Sequence, residues 1–340
     1  MALTLDAGTA PDAGELRELF RLMVAVRHLD VSAIAWQRQG LIPGYAPELG
    51  QEAAQVGSAF ALDLATDFAF PTYREMGVAR TMGVDMAGYM ASHKATWHGG
   101  LYDPEASRLA PIQAVVGGSV LHAVGWAHGQ TLDGLPGVAL SYFGDGASSQ
   151  GDVHEAMNFA AVMKAPVVFF IQNNGWAISL PTEAQVAGGS VAARAAGYGI
   201  SSIRVDGNDV AAVVGATRAA LAHCRAGHGP AVVEAMTYRR GPHSTSDDPG
   251  RYRSLASERA DAGTDPVDLL RERLLADGLA DAAFIDAAWA DARAEEETLR
   301  TAVAGLGSRP GAEMFDFVFS EPTDTLRGQS AAWRKESEHA

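Results

Sequence analysis

Val138-Ala139-Leu140-Ser141-Tyr142-Phe143-Gly144-Asp145-Gly146 and Val167-Val168-Phe169-Phe170-Ile171-Gln172-Asn173-Asn174 decide the fold of this chain. Each stretch opens as an unbroken apolar run and stops on glycine or polar residues, the pattern of a strand buried on both faces. Between them, Ser149 to Met163 carries apolar residues at helical spacing. The 26 residues from 147 to 172 hold one helix and one strand. That is the length of a strand–helix–strand crossover, so the two strands should be parallel and their polar ends close together. In an open α/β sheet, ligands sit at these carboxyl ends.

The two ends carry complementary chemistry. In Gly144-Asp145-Gly146-Ala147-Ser148-Ser149, the glycines let backbone approach a ligand. The helix start offers free N–H groups and a positive dipole end to an anion, and Asp145 offers a hard, charged oxygen. Asn173-Asn174-Gly175-Trp176 adds amide and backbone carbonyl oxygens. Asp145, one asparagine and a carbonyl make the partial oxygen shell that magnesium takes when phosphate oxygens complete it. The combination predicts a diphosphate held through a metal at a helix start. Gly-Asp-Gly alone is a common turn. A Rossmann dinucleotide site would need a third glycine where Ser149 stands, and an acid rather than Asn at the end of the next strand. The triplet, the spacing and the Asn pair together are more specific than either alternative.

Outward from this centre, the spacing predicts helices over Glu15 to Gln39, Gln51 to Leu64, Tyr73 to Ser92 and Ser119 to Thr131, with a Gly/His/Pro-rich loop from His93 to Ile112. Further strands are expected at Ser202 to Val205 and Ala231 to Met236, with a helix over Asp209 to Arg225 between them. Charged helices follow at Val267 to Ala276 and Ala280 to Ala304. The fold class is α/β, a mostly parallel sheet flanked by helices with helical N- and C-terminal extensions. The expected organisation is a flexible arm over 1–14, one main domain over 15–330 and a tail over 331–340.

The chain has 340 residues, 47% hydrophobic and 20% charged, with a net charge of −15. The length suits one large α/β domain. The acidic balance argues against nucleic acid and anionic membranes as partners, though it leaves room for a local basic pocket. One cysteine, Cys224, permits no internal disulfide and fits a reducing compartment. No leader peptide is visible, and no apolar run reaches the roughly 18 residues of a membrane span. A cytoplasmic protein is expected.

Gly144-Asp145-Gly146 through Asn173-Asn174 resembles the thiamine diphosphate motif of transketolases, pyruvate decarboxylases and 2-oxo acid dehydrogenases. From about residue 17 to 330 the chain is more narrowly similar to alpha subunits of the decarboxylating component of branched-chain 2-oxo acid dehydrogenase. The matching stretches are Gln37-Arg38-Gln39-Gly40, Thr72-Tyr73-Arg74-Glu75, Asn173 to Ser179, Ile203 to Asp209, Glu234 to Arg239, and His243-Ser244-Thr245-Ser246-Asp247-Asp248 with Tyr252-Arg253-Ser254. Alpha subunits of pyruvate and acetoin dehydrogenases share much of this pattern. The resemblance implies a thiamine diphosphate-binding fold and an enzyme that decarboxylates a 2-oxo acid and transfers the acyl group to lipoamide of an acyltransferase component. The preferred 2-oxo acid, branched-chain or pyruvate, stays open. A nicotinamide oxidoreductase is the alternative from another class.

Residue by residue, the resemblance implies that Asp145, the Asn174 side chain and the Trp176 carbonyl ligate magnesium. Gly144, Gly146 and Ala147 contact the diphosphate, Tyr73 and Arg74 reach it from another loop, and Val116 meets the aminopyrimidine ring. Gln172 stands where the branched-chain pattern often has Arg, so a charged phosphate contact is lost there. His243 falls on the active-site loop histidine, which contacts the diphosphate and assists acyl transfer. From its hydrophilic neighbours alone, His243 reads as exposed. His98 is a further candidate for lining the site, and Arg239 is expected to order the His243 loop through Asp247 or Asp248. Ser244 occupies the position that a kinase modifies in mitochondrial relatives, where about two added negative charges would repel a diphosphate. Gln113, Gly118 and Ser119 replace the potassium-binding pattern, so no well-defined potassium site is expected. The glutamate that the aminopyrimidine needs belongs to a second domain not visible here. The resemblance implies that a beta subunit supplies it in an α2β2 heterotetramer, with the helix Ser119 to Thr131 as an interface candidate.

Overall fold

The structure, a computed structural model, describes residues 5–6, 8–97, 99–254 and 265–337. In chain order the elements are α1 (Ala13–Arg38), α2 (Glu52–Phe60), β1 (Phe68–Phe70), α3 (Met76–Thr81), α4 (Met86–His93), α5 (Pro104–Ser107), α6 (Gly118–Asp133), β2 (Ala139–Gly144), α7 (Gly151–Met163) and β3 (Val167–Asn173). They continue with β4 (Trp176–Ala177), β5 (Leu180–Pro181), α8 (Thr182–Gln185), α9 (Val191–Ala195), β6 (Ser201–Asp206), α10 (Val210–Arg225), β7 (Ala231–Met236), α11 (Pro266–Ala276), α12 (Ala282–Gly305) and α13 (Asp324–Ser337).

Five parallel strands form the main sheet in the order β1-β2-β3-β7-β6. The apolar runs that read as doubly buried are so. Val168 and Phe170 join one core cluster with Leu140, Tyr142 and Val233, while Val167, Phe169 and Ile171 join another with Phe143 and Val232. Alternate side chains of a strand point to opposite faces, so each face of β3 needs its own helical cover. α1 to α4 and α10 contribute to the first cluster, and α6, α7 and α9 to the second. β2 and β3 pair in parallel with Gly144 opposite Gln172, which brings the two polar strand ends side by side.

Several boundaries differ from expectation for local reasons. α1 begins before Glu15 because Asp12 and Glu15 form a capping box, each side chain accepting from the other's backbone N–H at 2.9 Å. The single helix expected over Tyr73 to Ser92 is two. Gly83 takes φ +75°, and Asp85 caps α4 by accepting from Ala87 N. The arm is tied down in part, with Leu5 N bonded to Ser202 O and Gly8 N to Gly215 O, both at 3.1 Å. The structure adds β1, the antiparallel β4–β5 hairpin and α13 to the elements that the sequence pattern predicts. The apolar residues of α6 (Val120, Ala123, Val124, Ala127) lie in the core, so core packing accounts for them.

The chain divides into two compact units, Met1–Ala304 and Gly305–Ala340. In the second, Trp333 of α13 packs on Phe315 with ring centroids 6.1 Å apart. Among the described residues no helix is long and apolar enough to cross a membrane.

Candidate active site

The carboxyl ends of β2 and β3 open into a cavity of about 240 Å³. Gly144, Asp145, Gly146 and Ala147 line it from the first end, and Gln172, Asn174, Trp176, Ala177 and Ile178 from the second. Tyr73 and Arg74 enter from the β1–α3 loop, Val116 from the segment before α6, and Arg239 and His243 from the segment after β7. Gln51, Thr72, Glu75 and Gly117 also line it; sequence motifs singled out none of these four for the site. Thr72 and Glu75 flank Tyr73-Arg74 within the family-like stretch Thr72-Tyr73-Arg74-Glu75, which is a signal for both.

Asp145 is almost fully buried. Its Oδ2 accepts from Thr182 Oγ1 at 2.5 Å and Gln185 Nε2 at 3.0 Å, while its Oδ1 is buried without a partner. Burial pushes its pKa up, and the hydrogen bonds from Thr182 and Gln185 work against that. A buried carboxylate oxygen with no donor is costly, and a cation at Oδ1 would remove that cost. Asn174 directs Nδ2 to Gln51 Oε1 (3.1 Å), and its Oδ1 accepts from Trp176 N (3.2 Å). Its neighbour Asn173 does not line the cavity; it donates to Glu234 Oε1 at 2.9 Å and accepts from Gly175 N. Among the described residues, no group of three or more His, Cys, Asp or Glu forms a metal shell. With the Glu75 carboxylate bonded to Thr72 and Gln172, the site offers the Asp145 carboxylate with amide and carbonyl oxygens, a set that fits magnesium only with phosphate oxygens and water.

The glycines differ in role. A Cβ at Gly144 would meet only Gln172 O, at 3.8 Å, so the protein leaves that space open. A Cβ at Gly146 would lie 2.7 Å from Ala177 Cβ, so Gly146 lets the β4–β5 hairpin close over the turn. The helix expected from Ser149 starts instead as a 3-10 turn over Ala147–Ser149, and α7 follows from Gly151. The turn spends its Ser148 and Ser149 amides on Asp145 O and Gly146 O, at 3.2 and 3.3 Å.

Arg74 is buried; its guanidinium donates to Pro47 O, to His243 O (2.8 Å) and to His243 Nδ1 (3.1 Å). Arg239 donates to the same Nδ1 at 3.2 Å. Two cationic donors make Nδ1 an acceptor, which puts the imidazole proton on Nε2. Burial, then Arg74 and Arg239, pull the His243 pKa down to about 4, with Asp247 opposing. His243 is half-buried, not exposed as its neighbours suggested, and the Tyr73 ring stands edge-on at 6.0 Å. Burial and the cations Arg74 and Arg253 also lower the Arg239 pKa, to about 10.

Two expectations need correction. Arg239 orders the loop through Ile178 O (2.8 Å) and the Tyr252 hydroxyl (3.3 Å), and Tyr252 in turn donates to Asp247 Oδ2 at 2.5 Å. Asp248 caps the turn Pro249–Arg251. Ser244 does not line the cavity; its Oγ accepts from Ser246 N. Gln172 lines the cavity, and its Nε2 donates to Glu75 Oε1 at 2.7 Å. His98 lies outside the described residues.

A family model described as dehydrogenase E1 component matches residues 20–303. The chain is 44% identical over 322 residues to the 3-methyl-2-oxobutanoate dehydrogenase subunit alpha of Mycobacterium tuberculosis, spanning 94% of this chain and 87% of that one. It is 41% identical over 266 residues to the pyruvate dehydrogenase E1 component subunit alpha of Bacillus cereus, spanning 78% and 71%. To the mitochondrial 2-oxoisovalerate dehydrogenase subunit alpha of Homo sapiens it is 40% identical over 274 residues, spanning 77% and 60%.

Proposed function

Since the chain belongs to the dehydrogenase E1 component family, we propose that it is the alpha subunit of a branched-chain 2-oxo acid dehydrogenase. With a beta subunit it decarboxylates the 2-oxo acid and passes the acyl group to the lipoyl group of an acyltransferase component. The observation that carries the site assignment is the buried, unpartnered Asp145 Oδ1 beside Asn174 at the joined strand ends.

Thiamine diphosphate, which the family implies, supplies the nucleophilic carbon and the electron sink for loss of carbon dioxide. Asp145 Oδ1, Asn174 Oδ1 and the Trp176 carbonyl are the proposed magnesium ligands. Gly144, Gly146 and Ala147 leave room for the diphosphate and line its side of the cavity. Arg74 and Tyr73 face it from the opposite loop, where a guanidinium suits phosphate oxygens. Val116 and Gln172 complete the wall. His243, neutral at pH 7 and protonated on Nε2, donates a hydrogen bond to a phosphate oxygen or to the group leaving toward lipoamide. Arg74 and Arg239 hold that tautomer and keep Nδ1 from acting as a base. Trp176 and Ile178 of the hairpin region shield the cavity from water.

A partner completes the site. About 240 Å³ falls below the roughly 300–1,000 Å³ of pockets that bury a drug-sized ligand. Glu75, which lines the cavity, commits its carboxylate to Thr72 and Gln172, so the glutamate for the aminopyrimidine is assigned to the beta subunit. An α2β2 assembly is the proposed form. Leu132 and Leu135 in one unit, and Phe317, Val318 and Phe319 in the other, expose apolar surface suited to subunit contact. The single, buried Cys224 is compatible with a proposed cytoplasmic location.

The test is co-expression with the beta subunit and assay of 3-methyl-2-oxobutanoate against pyruvate. A higher kcat/KM for the branched-chain acid is expected. A preference for pyruvate would transfer the subunit to pyruvate dehydrogenase with the same chemistry.

A further inference from the structure

The two oxygens of the Asp145 carboxylate are held unequally. Oδ2 receives Thr182 Oγ1 at 2.5 Å and Gln185 Nε2 at 3.0 Å; Oδ1, also buried, receives no donor. Thr182 itself is buried and sits at the first position of α8, directly after the hairpin. Its N–H donates to Gly175 O at 3.0 Å, inside the turn that joins Asn174 to Trp176. Its Oγ1 also lies 3.2 Å from Asn173 Oδ1. One residue therefore ties the carboxylate after β2 to the turn after β3.

The Asp145 backbone is fixed by other groups. Ser148 Oγ donates to Asp145 O at 2.6 Å, and Arg194 donates to Ser148 O at 2.8 Å. Thr182 thus acts on the orientation of the carboxylate rather than on the path of the chain.

We propose that Thr182, assisted by Gln185, is a positioning residue that makes Asp145 a one-oxygen ligand and so sets the site's preference for magnesium over calcium. The proposal rests on the assignment of a magnesium site at Asp145. With Oδ2 occupied by two donors, only Oδ1 is free for a cation. Magnesium requires near-ideal octahedral geometry at about 2.0–2.1 Å and accepts single-oxygen carboxylate ligands, whereas calcium accepts both oxygens of a carboxylate and a looser shell. Groups behind a ligand tune metal affinity about 10- to 100-fold. The Thr182→Val substitution keeps the shape, removes the hydroxyl and leaves Oδ2 with only the Gln185 donor, at 3.0 Å, so the carboxylate loses the stronger of its two restraints.

The experiment titrates the purified αβ complex with magnesium and, separately, calcium at saturating thiamine diphosphate, read by calorimetry. Wild type, Thr182→Val, Thr182→Ser, Gln185→Leu and Asp145→Ala are compared. Thr182→Val is expected to weaken magnesium binding about 10- to 100-fold and to lose less calcium affinity, so the magnesium/calcium ratio falls. Thr182→Ser, which keeps the hydroxyl, restores the ratio, and Gln185→Leu gives a smaller fall. If Asp145→Ala loses the metal while Thr182→Val keeps both wild-type affinity and ratio, the positioning role is overturned. If Asp145→Ala binds magnesium as wild type does, the site assignment itself fails. Should Thr182→Val not assemble, an unchanged ratio in Gln185→Leu overturns the proposal.

Discussion

Arg74 and Arg239 both donate to Nδ1 of His243, and the imidazole has burial on top of two positive neighbours. Its folded pKa, about 4, lies below the ordinary 6.5. Between those values the unfolded chain binds a proton that the folded chain refuses. The stability from this group is complete above pH 6.5 and declines as pH falls toward about 4. Nitrogen-detected NMR of the cofactor-free protein should show the Nε2–H tautomer at pH 7 and no titration near 6.5. A midpoint at 6.5 would remove the two-arginine clamp from the account. Anionic ligand should raise the midpoint, because it offsets the two cations. At Asp145 the expected result is loss of magnesium-dependent cofactor binding in Asp145→Ala; undiminished affinity by calorimetry would falsify the metal assignment. Not every residue of the motif is equal. Asn173 and Asn174 are adjacent and identical in type, yet Asn173 braces Glu234 while Asn174 lines the cavity. Asn173 is the last residue of β3 and Asn174 the first beyond it, and only the groups each one meets distinguish their roles.

The β2–α7–β3 crossover carries the site, and its strands were legible because both faces of each are covered, leaving runs with no polar interruption. β1 has three residues, and β4 and β5 two each, too few to show a period. The hairpin nonetheless shapes the site, because Ala177 lies against Gly146. A methyl group at residue 146 would force the hairpin away from the turn. Overpacking of this kind costs about 1–3 kcal/mol. Gly146→Ala should lower the chemical-denaturation midpoint accordingly and weaken cofactor binding at the same time. Wild-type stability together with wild-type cofactor affinity would show that the contact is dispensable. Gly144→Ala meets only Gln172 O in the protein and should leave stability near wild type while reducing cofactor affinity. The contrast separates a packing glycine from a ligand-facing one.

For the molecule as a whole, the cavity presents the metal and diphosphate side of the proposed site and lacks a free glutamate for the aminopyrimidine among its lining residues. The isolated chain is expected to show no decarboxylation, with activity recovered on adding the beta subunit; full activity alone would refute the shared site. Leu132 is 72% exposed and Leu135 52%. Leu132→Ser and Leu135→Ser should weaken αβ association in sedimentation velocity while leaving the thermal midpoint of the isolated chain nearly unchanged. Surface changes that break no internal contact generally stay within about 0.5 kcal/mol.

The order of residues alone determined the parallel α/β core, the neighbouring ends of β2 and β3, and the residue types that could meet a metal and a diphosphate. These follow from hydrophobic period, turn chemistry and crossover length, all local properties of the chain. Tertiary structure decided which asparagine faces the cavity, that the helix start is a 3-10 turn, and that Thr182 and Gln185 hold one oxygen of Asp145. It also decided that Arg239 reaches Asp247 through Tyr252 and that two arginines fix the tautomer of His243. The physical reason for the decisive ones is shared. The Asn173 brace on Glu234, the Thr182 and Gln185 hold on Asp145 and the Arg74 half of the His243 clamp join groups distant in sequence, and no local pattern records a contact made only after the chain has folded back on itself.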